Sequence, residues 1–121
     1  MTKKRGFFAS FRNAGNGLKE AFHRGKNIRI FIIIMILVMI AGYFLGVSTV
    51  EWLILITIMG ISFVAEVFNT SIEVLCDKVS PKKDAHIAVA KDIAAAAVLT
   101  LSIVAVIVGL TIFLPKILAF F

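Results

Sequence analysis

Three long apolar runs constrain this chain before anything else does. Residues 30–47 read IFIIIMILVMIAGYFLGV, eighteen uncharged positions in a row. As a helix they rise about 27 Å, close to the thickness of a hydrocarbon core. A second run begins near Trp52, stays apolar to Ala65 and can continue as helix through Cys76. A third covers residues 93–114 and is expected to end at Pro115, since proline breaks a helix interior. The chain has 121 residues, 60% of them hydrophobic, and a mean hydropathy of +1.02. A soluble chain of that length keeps too much of its surface wet to hide so much apolar area. The expected fold is all-α and integral to a membrane, a single domain over residues 1–121. It has a surface helix at about 7–24 and spans at about 28–48, 51–77 and 86–115.

The charges set the expected topology. Lys3, Lys4, Arg5, Arg12, Lys19, Arg24, Lys26 and Arg29 precede the first span. The short link around residues 48–51 has no basic residue. The next link carries Lys78, Lys82, Lys83 and Lys91, and only Lys116 follows the third span. By the positive-inside rule the N-terminus and the second link face the cytoplasm. The net charge of +6 sits beside the apolar spans, which fits anionic headgroups and topology signals, so no nucleic-acid partner is expected. Phe7, Phe8, Phe11, Ala14, Leu18, Ala21 and Phe22 share one helical face, and Arg12, Asn16, Lys19 and His23 another. This is an interfacial helix, either an anchor or also a cover over a site, with Gly25 as its stop. Ser80, Pro81, Lys82, Lys83 and Asp84 read as a turn. His23 and His86 show no metal-ligand spacing and read as interfacial polar residues. One cysteine, Cys76, allows no intrachain disulfide and reads as a small apolar helix residue.

The second run ends in an unexpected polar pattern. Glu66, Asn69, Glu73 and Asp77 fall within about 80° of one helical face. They form a stripe running from inside the membrane to the cytoplasmic surface, and lipid-facing carboxylates are expensive, so it should face protein, a cavity or ions. Lys91 and Asp92 stand across the link, at the start of the third span. Carboxylates, an amide and a lysine at a membrane boundary suit phosphoryl transfer. Carboxylates hold Mg²⁺, a lysine neutralises phosphate, and a further carboxylate accepts a hydroxyl proton. Other readings stay open at this point. Glu66 also fits an ion or proton site of a small transporter. The whole stripe also fits helix–helix adhesion in a membrane-surface adaptor, with Asp77 as surface charge and Lys91 and Asp92 as an interface anchor. The sequence holds no P-loop and no Cys/His metal pattern.

The stripe, followed by Ala90-Lys91-Asp92-x-Ala94-Ala95-x-Ala97-Val98-Leu99, resembles the signature of the prokaryotic diacylglycerol kinase family, which includes undecaprenol kinases of Gram-positive bacteria. The resemblance covers essentially the whole chain. It implies an integral-membrane homotrimer that moves the γ-phosphoryl of ATP, with Mg²⁺, onto a lipid hydroxyl, at sites shared between subunits. By motif it makes Glu66 the general base and Glu73 a Mg²⁺ ligand that also meets ATP. Lys91 and Asp92 become a nucleotide-binding pair, and Asn69 and Asp77 polar residues of the active site. Lys82, Lys83 and Asp84 form a turn near the nucleotide. Val50-Glu51-Trp52-Leu53 resembles the Gram-positive branch, whose members often prefer undecaprenol, so undecaprenol is the favoured lipid and diacylglycerol, giving phosphatidic acid, the alternative.

One departure stands out. The family pattern before the first span is Glu-x-Asn-x-Arg, whose glutamate is a second metal ligand. Here the stretch is Gly25-Lys26-Asn27-Ile28-Arg29, and the nearest acid, Glu20, lies five residues upstream. Restoring the carboxylate with Gly25→Glu is expected to lower the Mg²⁺ needed for activity.

Overall fold

The computed structural model describes residues 6–80 and 82–121. It has four helices, α1 (Phe7–Arg24), α2 (Lys26–Leu45), α3 (Thr49–Val79) and α4 (Ala85–Phe120), and no strand among the described residues. Three of them, α2, α3 and α4, are long and apolar enough to cross a membrane. The chain is thus an all-α multi-pass membrane protein. Lys3, Lys4 and Arg5, counted for topology, and Pro81, assigned to the turn, lie outside the described residues.

The chain turns between α1 and α2 at Gly25, whose N–H donates to the Ala21 carbonyl at 2.7 Å. A Cβ at Gly25 would sit 2.8 Å from that carbonyl oxygen and 2.9 Å from the Ile28 side chain. Ile28 is 1% exposed, so the corner is closed around it. The next turn uses Gly46 in the left-handed region, φ 71°, to end α2. Ser48 then starts α3. Its Oγ accepts from the Glu51 N–H at 3.2 Å, and its own N–H donates to Glu51 Oε1 at 3.0 Å. That reciprocal pair is a capping box. Val47 before the cap and Trp52 on the first turn join the same apolar cluster, as a hydrophobic staple would. Residues 48–51, read from sequence as a link, are therefore the start of the helix.

The longest interface joins α3 to α4, with α2 packed on α3 and α1 against both α2 and α3. The core cluster is Val47, Leu55, Met59 and Ile112, backed by Met35, Val38, Trp52, Val108 and Phe113. It sits at the end of the bundle far from α1. Gly42 lets the Trp52 indole lie on α2, since a Cβ there would meet the ring at 2.6 Å.

The third span does not stop at Pro115, as the sequence led us to expect. Helix α4 passes through the proline and ends at Phe120. Proline removes one N–H and crowds the carbonyl four residues back, but such defects are tolerated in membrane helices. The turn beyond it is also fastened. Lys116 Nζ lies 3.0 Å from Glu51 Oε1, tying the end of α4 to the start of α3.

At about 1.5 Å per residue, α3 runs roughly 46 Å, well beyond a hydrocarbon core of about 30 Å. The excess lets one helix carry groups from the apolar interior to the polar end of the bundle, where α1 and the α3–α4 link lie.

Candidate active site

Burial changes along the polar face of α3. Glu66 is 3% exposed and Asn69 4%, whereas Glu73 and Asp77 are exposed. The stripe thus begins inside the bundle and emerges over three turns. Thr70, also buried, donates its hydroxyl to the Glu66 carbonyl at 3.1 Å. Asn69 Nδ2 donates to Glu73 Oε1 at 3.0 Å, linking the buried and exposed halves. Its Oδ1 is buried without a partner. An orphaned acceptor at that depth suits a donor brought in from outside, such as a hydroxyl or a water.

Beyond the stripe the α3–α4 link encloses an open cavity of about 440 Å³. Asp77, Lys82, Lys83, Asp84 and Lys91 line it, three cations against two anions. Lys91 pairs with Asp77 across the link. Asp84 caps α4, its Oδ1 accepting from the backbone N–H of His86 at 2.9 Å and of Ile87 at 3.1 Å. The sequence placed Asp84 in a turn and missed this cap. Ser80 closes the link by donating to the Lys82 carbonyl at 2.9 Å.

The structure therefore gathers the candidates into two groups. Asp77, Lys82, Lys83, Asp84 and Lys91 share the cavity. Glu66, Asn69 and Glu73 sit on α3 outside its lining, and Asp92 is exposed beside Lys91 and also outside it. A second hollow, about 810 Å³, lies between α1 and α3. Ala14, Gly17, Leu18 and Ala21 line its α1 side, and Val67, Thr70, Ser71 and Val74 its α3 side. Glu20 and Arg24, paired at 3.0 Å, complete its lining. The apolar face of α1 is thus divided: Ala14, Leu18 and Ala21 turn to α3, while Phe7, Phe8 and Phe11 stay exposed.

Among the described residues no three His, Cys, Asp or Glu side chains come close enough to hold a metal alone. A magnesium ion arriving on phosphate oxygens needs only one or two carboxylates. Glu73 fits that demand, because Asn69 occupies Oε1 and the carboxylate is exposed. Glu20 does not join it, being paired with Arg24 at the α1–α3 hollow.

One residue and one pairing of this region escaped sequence reading. Ser62 is 2% exposed and its hydroxyl has no partner. Its place on the stripe, one turn before Glu66, was the available signal. Glu20 and Arg24 form an i,i+4 pair that the helical spacing also encodes.

Comparisons with known proteins cover most of the chain. The model of the family described as prokaryotic diacylglycerol kinase matches residues 12–113. The chain is 36% identical over 110 residues to the undecaprenol kinase of Bacillus subtilis (strain 168), covering 91% of this chain and 89% of that protein. A match that takes in α2, α3, the link and most of α4 places the chain in the prokaryotic diacylglycerol kinase family, as a membrane-embedded lipid kinase.

Proposed function

We propose that this kinase transfers the γ-phosphoryl group of MgATP to undecaprenol in preference to diacylglycerol. We further propose that it works as a homotrimer in the cytoplasmic membrane, with its N-terminus in the cytosol. The observation that carries the chemistry is the burial gradient on α3, from buried Glu66 to exposed Glu73, ending beside a lysine-lined cavity. A lipid hydroxyl lives at the depth of the first group, and a water-soluble nucleotide reaches only the second.

The lipid hydroxyl oxygen attacks the γ-phosphorus, and the bond from that phosphorus to the β,γ-bridging oxygen breaks. ADP leaves, and the hydroxyl proton passes to the Glu66 carboxylate. Lys82, Lys83 and Lys91 offer cations to the phosphate chain, with Lys91 exchanging Asp77 for a phosphate oxygen. Asp92 and Asp84 border the nucleotide, and Asn69 orients Glu73. Mg²⁺, when bound, neutralises charge on the β- and γ-phosphates, and Glu73 is the side chain that would hold it. The hollow between α1 and α3 offers the lipid chain an apolar path from the bilayer past Val67 and Val74.

Undecaprenol is favoured because the relative is named for it and because Val50-Glu51-Trp52-Leu53 resembles that branch. Orientation is supported by the basic residues, which crowd the α1 end and the α3–α4 link. The test compares undecaprenol and diacylglycerol at matched mole fractions in mixed micelles with MgATP. Undecaprenol should turn over faster, and Glu66→Gln should abolish turnover of either lipid without loss of the folded state. Faster phosphorylation of diacylglycerol would overturn the lipid assignment. Full activity in Glu66→Gln would remove Glu66 from the reaction.

A further inference from the structure

Five hydroxyl side chains of the spanning helices share one hydrogen-bond pattern. Thr57, Thr70, Thr100, Ser102 and Thr111 each donate to the carbonyl four residues earlier, at 2.7 to 3.1 Å. Ser62 does not. Its side chain is buried, and Oγ has no hydrogen-bond partner. A buried unpaired hydroxyl costs free energy, and alanine would be the better helix former there.

Position offers a use for it. Ser62 precedes Glu66 by four residues, so the two share a face one turn apart. Helix side chains lean toward the N-terminus, so a Glu66 side chain turned back along α3 reaches the turn that holds Ser62. The next polar pair on the same stripe shows that this spacing closes: Asn69 donates to the Glu73 carboxylate, again four residues on, at 3.0 Å.

We propose that Ser62 is a positioning residue for Glu66, its hydroxyl donating a hydrogen bond to the Glu66 carboxylate in the working enzyme. This rests on Glu66 being the base that takes the lipid hydroxyl proton. A hydroxyl rotor is a suitable partner because it turns without moving the backbone. A donor on the carboxylate fixes its direction and stabilises the ionised form that proton abstraction requires.

The experiment compares wild type, Ser62→Ala, Ser62→Thr and Glu66→Gln, each as the full chain in mixed micelles with undecaprenol and MgATP. Ser62→Ala should lower kcat about tenfold while KM for ATP and for lipid stays unchanged. Ser62→Thr, which keeps the hydroxyl, should stay within about twofold of wild type. The thermal midpoint of Ser62→Ala should equal or exceed that of wild type, because the alanine buries no unpaired group. Unchanged kcat in Ser62→Ala overturns the proposal, and so does a Ser62→Thr that falls as far as the alanine variant. If Glu66→Gln is inactive while Ser62→Ala is fully active, only the serine's role is lost. If Glu66→Gln turns over normally, the assignment of the base fails first and the serine's role with it.

Discussion

Gly25 turns α1 into α2 with φ −91° and ψ 101°, angles that any residue adopts. Its requirement is therefore space and not backbone freedom. A single added carbon meets the Ala21 carbonyl oxygen at 2.8 Å and Ile28 at 2.9 Å, and the carbonyl is already engaged by the Gly25 N–H. This changes what a carboxylate at position 25 would do. The sequence comparison presents Gly25→Glu as the return of a missing metal ligand. The packing shows that it must also open the α1–α2 corner. Overpacking of this kind costs about 1–3 kcal/mol. Gly25→Ala alone should lower the thermal midpoint in detergent by several degrees, and Gly25→Glu by at least as much. The Mg²⁺ dependence of the glutamate variant is then read against the alanine variant, which separates ligand from strain. An alanine variant as stable as wild type would show that the corner has room.

At the scale of the element, each end of a helix was legible only where its signal is local and chemical. Gly46 ends α2 in the left-handed region, as glycine usually does, while Gly25 ends α1 with extended angles. The start of α3 carried a readable signal too, Ser48-Thr49-Val50-Glu51, which fits the capping-box pattern, but an uncharged break between two apolar runs looks like a link first. Pro115 misled for a different reason. A proline stop presumes a free helix end, whereas the turn beyond Pro115 is fastened by a long-range ion pair between Lys116 and Glu51, 65 residues apart in the numbering (116 − 51). Sequence periodicity carries no information about such a pairing. Glu51 serves both structures through one oxygen, accepting from the Ser48 N–H and from Lys116. Substitution separates the two roles. Glu51→Gln keeps a side chain able to close the capping box and removes the charge, so it should cost under about 1 kcal/mol. Glu51→Ala removes both and should cost about 1 kcal/mol more. Adding Lys116→Ala to Glu51→Gln should cost little further, because the pair is already broken. Thermal unfolding of wild type, Glu51→Gln, Glu51→Ala, Lys116→Ala and the Glu51→Gln/Lys116→Ala double variant checks this, and full additivity of Glu51→Gln and Lys116→Ala would argue against a working ion pair.

The whole molecule separates what the stripe seemed to unite. Helical spacing correctly placed Glu66, Asn69, Glu73 and Asp77 along one face, because a 3.6-residue period fixes angles. It could not say which groups share a cavity, since that depends on how α4 returns along α3. The cavity takes Asp77 and Lys91 but leaves Glu66 outside. Eleven residues separate Glu66 from Asp77, a climb of about 16 Å along the helix. In the proposed reaction a phosphoryl group held among the lysines must still meet a hydroxyl beside Glu66. The nucleotide either extends along its own chain's stripe or reaches the stripe of a neighbour. In the proposed homotrimer these alternatives give different results when two inactive chains are mixed. Glu66→Gln keeps the lysine, and Lys91→Ala keeps the base. If base and lysine of a working site come from adjacent chains, random mixing in equal amounts pairs an intact base with an intact lysine in about a quarter of sites. Activity should then return to about that fraction of wild type from two chains that are each inactive alone. If both groups come from one chain, every site in every mixed assembly lacks one of them, and the mixture stays as inactive as its parts. Co-expression of the two variants from one cell, followed by the undecaprenol assay, distinguishes the cases, with a mixture of separately purified trimers as the control in which no exchange has occurred.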